Sequence, residues 1–68
     1  MVAVNRLKSE IVLKGTTGEK VARRMGITPK AFYHKLKIAK FNTDDVKKLM
    51  DILDITDPVP IFFADDAT

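Results

Sequence analysis

Four side chains that donate hydrogen bonds recur at helical spacing in the middle of the chain. Lys30, Tyr33, His34 and Lys37 stand at i, i+3, i+4 and i+7, so on a helix they share one face. Two ammonium groups, a phenol and an imidazole make a donor-rich surface suited to a polyanion. His34 is the sole histidine and cysteine is absent, so a His/Cys zinc cluster is not expected, and polar contact is favoured over catalysis. Its expected role is contact through an exposed imidazole. The carboxylate pairs Asp44–Asp45 and Asp65–Asp66 are adjacent, which makes their side chains diverge on a helix; capping and solubility account for them. The stretch GTTGEK has the wrong glycine spacing for a phosphate loop, lacks Ser or Thr after the lysine, and follows a helical pattern where a strand is needed. No catalytic residue, metal ligand, cofactor or small-molecule ligand is expected, and the chain is not expected to be an enzyme.

Charge is distributed unevenly around these residues. Residues 1 to 41 carry ten Lys or Arg against Glu10 and Glu19, giving +8, whereas residues 42 to 68 carry two Lys and seven Asp, giving −5. A basic half joined to an acidic half implies one surface made for a polyanion and another turned away from it. With 68 residues, 46% hydrophobic and 31% charged, the chain is expected to form one folded domain over 1–68. Apolar runs are only a few residues long, too short for a spanning helix or a signal-peptide core, so a cytoplasmic location and no membrane partner are expected.

The elements that must position the donor face are all helical, because apolar residues recur at three and four and no segment alternates convincingly with period two. A first helix is expected over about Asn5 to Lys14, with Leu7 and Ile11 inward and Gly15 ending it. Thr17 caps a second helix that carries Val21, Ala22 and Met25 inward and ends at Gly26. Thr28 followed by Pro29 starts a third, with Phe32 and Leu36 as its apolar stripe. No Gly or Asn directly follows Leu36, which leaves its end open between Lys37 and Lys40. Asn42 caps a fourth, with Phe41 before the cap set to staple onto Val46, and with Val46, Leu49, Met50 and Leu53 buried. Asp57 and Pro58 repeat the cap-then-proline signal for a short apolar segment over 57–64, followed by an acidic tail, 65–68, expected to fray.

Two short helices joined by GIT describe a helix-turn-helix over about 17–37, whose second helix is presented to the DNA major groove. Ala22 is small where the helices must approach, Gly26 suits a positive φ, and Ile27 and Phe32 anchor the second helix. The run VARRMGITPKAFYHKL, with FNTDDVKKLMDIL after it and DPVPIFF at the close, resembles the Cro and phage-repressor family of regulators, also called lambda-repressor-like, from Leu7 to Phe63. The resemblance implies an all-α, compact five-helix domain that binds double-stranded operator DNA as a transcriptional regulator. It implies base contacts from Thr28, Lys30, Tyr33, His34 and Lys37, and phosphate contacts from Thr17 and Gly18 at the start of the second helix. Gly18 stands where the family often has Gln, and Lys37-Ile38 replaces a frequent Asn-Gly.

Side-chain chemistry agrees with this carry-over. Lys30 can donate to guanine O6 and N7, Thr28 can touch a base or a phosphate, and Tyr33 offers a ring to a thymine methyl and a hydroxyl to a phosphate. Lys20, Lys35 and Lys40 are expected to neutralise phosphates as flexible point charges. One short recognition helix reads few base pairs, so a two-fold homodimer is expected. Ile61, Phe62 and Phe63 are its candidate interface, because three consecutive helical residues span about 200° of arc and a small core can hardly bury them all. A protein-interaction module of the same fold, modulating a repressor without touching DNA, is the competing reading; the basic face favours DNA.

Overall fold

A computed structural model describes residues 2 to 63, and the acidic tail lies outside the described residues. Five helices follow in order: α1 (Val4–Leu13), α2 (Gly18–Met25), α3 (Pro29–Ile38), α4 (Thr43–Ile52) and α5 (Val59–Phe62). No strand occurs among the described residues. Three N-termini form where a side-chain oxygen precedes the first turn. Thr17 Oγ1 accepts from the Lys20 N–H, Thr28 Oγ1 from the Ala31 N–H, and Asn42 Oδ1 from the Asp45 N–H. At α4 the cap is reciprocal, because the Asp45 carboxylate accepts the Asn42 N–H at 3.2 Å.

One device ends the first four helices. A residue one or two positions past each takes a left-handed conformation: Gly15, Gly26, Ala39 and Asp54 have φ of 69°, 80°, 53° and 53°. The N–H after each then bonds back five residues, from Thr16 to Ile11, Ile27 to Ala22, Lys40 to Lys35 and Ile55 to Met50, satisfying carbonyls that the helix leaves open. Gly26 pays no steric penalty for this conformation, and the space where its side chain would project is empty. A Gly26→Val change should therefore act through the backbone alone and destabilise by about 1–3 kcal/mol. Thermal unfolding tests this: a midpoint equal to wild type would mean the turn does not depend on a positive φ.

The apolar stripes converge on one core. Leu7, Ile11, Val21, Ala22, Met25, Phe32, Leu36, Leu49 and Leu53 are buried, and Val2, Ile55, Ile61 and Phe62 join them. Val46 and Met50, expected inside, lie half-buried at its margin. Phe41 is half-buried with its ring 6.3 Å from that of Phe32, centroid to centroid. Helix α2 packs on both α3 and α4, while α1 packs on α5. The radius of gyration, 10.9 Å, matches the roughly 11 Å of a fully compact chain of this length. No helix among the described residues is long and apolar enough to cross a membrane.

The closing segment differs from expectation in two respects. Pro58 is the cap of α5 and not its first residue, since the Pro58 carbonyl accepts the first helical bond, from the Phe62 N–H. Asp57 still acts there, its carboxylate accepting the Val59 N–H at 3.1 Å. The second difference concerns the expected dimer interface. Ile61 and Phe62 are 6% and 3% exposed and fill the chain's own core against α1, so these two are not subunit-contact residues. Phe63 remains 42% exposed, with Val59 beside it at i−4.

Candidate nucleic-acid interface

Helices α2 and α3 approach closely because Ala22, fully buried on α2, presents nothing larger than a methyl group to its surroundings. Phe32 and Leu36 anchor α3 inward, which dictates what faces out. At about 100° per residue, Lys30, His34 and Lys37 fall within about 60° of one another on the side away from that stripe. All three are exposed and form the outward ridge of α3. Thr28 is exposed at the start of the helix, its oxygen engaged in the cap while its hydroxyl hydrogen stays available. Ile38, half exposed, borders the ridge about 40° beyond His34 with an apolar group that the spacing of charged residues did not single out. His34, Ile38 and Lys40 also line one open groove that ends at Asn42.

Two residues leave the ridge for its flanks. Tyr33 sits about 60° from Lys30 toward α2, and its ring end lies against Gly18, the first residue of that helix. Lys35 lies on the opposite flank, toward α4. Its ammonium donates to Asp45 Oδ2 at 2.8 Å, and its side chain is only 28% exposed. An ammonium tied to a buried carboxylate is no flexible phosphate neutraliser, so that expectation for Lys35 is revised: it couples α3 to α4. Asp45 went unnoticed as a partner because the two residues lie ten apart in sequence and meet only through helix packing.

The remaining phosphate candidates are open to solvent. Thr17, Lys20 and Lys40 are exposed, and Gly18 is partly covered by Tyr33. Among the described residues, Lys20, Lys30, Lys37 and Lys40 make no ion pair with a carboxylate. From residue 20 to residue 43 the chain has seven Lys or Arg and no acid, and this interval contains the turn and all of α3. Acidic side chains gather on α4, where Asp44 pairs with Lys48 and Lys48 also donates to the Met25 carbonyl at the end of α2. The outer side of α3 is thus basic, while α4 carries both signs. Comparison with known proteins gave no matching family model, curated protein or solved structure.

Proposed function

We propose that the chain is a sequence-specific double-stranded DNA-binding regulator of the lambda-repressor-like kind, with α2 and α3 as its helix-turn-helix and α3 as the helix laid in the major groove. The observation that carries this reading is the outward ridge of α3: Lys30, His34 and Lys37 exposed together, on a short rigid helix, within an interval of seven bases and no acid. Cationic and donor side chains at that position suit base edges and phosphates at once. Thr28, Lys30, His34 and Lys37 are the base-contact candidates, and Thr17, Gly18, Lys20 and Lys40 the phosphate candidates. The functional unit in this reading is a two-fold pair reading half-sites about 34–36 Å apart, with Phe63 and Val59 as the apolar surface left at the closing end.

Readers and neutralisers separate in a binding titration. On a duplex selected for tight binding, Lys30→Ala should cost about 1–3 kcal/mol and relax preference at one base pair. Lys40→Ala should weaken selected and random duplexes alike and flatten the salt slope by about one. Equal losses on both duplexes for both variants would contradict the assignment. Absence of duplex binding by wild type at low salt would favour the protein-interaction reading.

A further inference from the structure

Gly18 is the first residue of α2, a position with no positive φ to accommodate, so its own backbone does not explain a glycine. The explanation lies across the turn. A methyl group built at Gly18 would stand 2.7 Å from the Tyr33 hydroxyl oxygen, 2.9 Å from Cζ and 3.0 Å from Cε1. The far end of the ring therefore occupies the space a side chain at 18 would need. The near end rests edge-on against Phe32, with centroids 5.9 Å apart and planes at 62°, which links the ring to the core. With its ring beside Gly18 and Phe32, Tyr33 still leaves 49% of its surface exposed.

We propose that Gly18 and Tyr33 form one positioning device: the missing side chain at 18 lets the Tyr33 ring lie back on α2, away from the ridge that reads bases. The inference rests on the DNA-binding reading above and deepens it. A helix lying in the major groove turns its outward ridge to the base edges and its flanks to the sugar-phosphate walls. Tyr33, set by helical spacing about 60° from Lys30 on the α2 side and with its ring end lying back on Gly18, then meets the backbone with its hydroxyl and carries no base preference. Base reading is left to Lys30, His34 and Lys37, with Thr28 at the helix start. This reassigns Tyr33 from the base contacts to a contact that aligns α3 in the groove.

Tyr33 is the only tyrosine and the chain has no tryptophan, so intrinsic fluorescence reports this ring alone. Acrylamide quenching of free protein should increase in Gly18→Ala, because the added methyl displaces the far end of a flexible side chain while circular dichroism shows the fold retained. In titrations, Tyr33→Phe should lose about 3- to 10-fold on selected and random duplexes alike, the net size of one ordinary solvent-exposed hydrogen bond. Gly18→Ala should lose affinity in the same uniform manner, and should lose nothing further when introduced into Tyr33→Ala. Unchanged quenching in folded Gly18→Ala, or a Tyr33→Phe loss confined to one base pair, would overturn the proposal. If Gly18→Ala does not fold, the Tyr33→Phe titration decides alone. Failure of wild type to bind any duplex would remove the DNA role of Tyr33 together with the function, whereas the quenching comparison needs no DNA and still reads whether Gly18 holds the ring.

Discussion

Phe32→Ala is expected to unfold most of the protein at 25 °C. Phe32 is the largest side chain with no exposed surface, set in α3 between the Phe41 ring on one side and Tyr33 on the other. Truncating a buried phenylalanine costs about 3–5 kcal/mol, the sum of lost transfer energy and the cavity left behind. A domain of this size without disulfides or metal has only about 3–5 kcal/mol to lose. The two magnitudes coincide, so loss of this one ring approaches the whole stability. Far-UV circular dichroism of Phe32→Ala should show most of the helical signal gone, while Phe32→Leu should keep the fold with a lowered midpoint. A Phe32→Ala variant that melts within a few degrees of wild type would mean that the core closes without this ring.

Asp45→Ala should be the most damaging change at any charged residue, at about 2.5–4 kcal/mol. The Asp45 carboxylate accepts from two donors, the Asn42 N–H at 3.2 Å and the Lys35 ammonium at 2.8 Å, and it is the one charged side chain reported among the buried residues described. Alanine removes half of the α4 capping box, worth about 1 kcal/mol, and an ionic hydrogen bond worth about 1.5–3 kcal/mol when sheltered from water. Asparagine should recover part of the loss, since it keeps an acceptor for the Asn42 N–H. Chemical denaturation of Lys35→Met, Asp45→Ala and the double variant provides the decisive comparison. If the two single losses simply add, the link between α3 and α4 contributes nothing and the cost belongs to the cap alone.

Helix starts were the most legible part of the chain, because a cap is local: Thr17, Thr28 and Asn42 each stand three residues before the N–H they accept. The end of α3 was not legible, for an equally local reason. Ala39 takes the left-handed conformation that glycine signals elsewhere, and an alanine at that position is silent in a sequence. Side-chain pairings between helices were hidden too. Spacing placed Lys35 among the cations but could not reveal that packing would bring Asp45 to it. Tyr33 was grouped with Lys30 and Lys37 by the i, i+3, i+7 rule, and only the position of α2 shows that it leans off that line. At the closing end, one of Ile61, Phe62 and Phe63 does stay out, but for a different reason than helical arc: α5 ends at Phe62, and Phe63 follows it in a non-helical conformation with 42% of its surface exposed.

The Ala3 N–H donates to the Ile61 carbonyl, so the opening of α1 is stitched to α5 across almost the whole described chain. During synthesis this has a temporal meaning. Helices α2, α3 and α4 have their partners in neighbouring sequence and can associate as they leave the ribosome, whereas α1, made first, waits for α5, made last. Until Ile61 and Phe62 emerge, Leu7 and Ile11 lack part of their cover. The nascent chain therefore carries an exposed apolar face on its oldest helix, and a stalled or prematurely terminated product would retain it. Such a fragment is a natural substrate for chaperones and proteases, which makes the docking of α5 on α1 a checkpoint on closure of this domain.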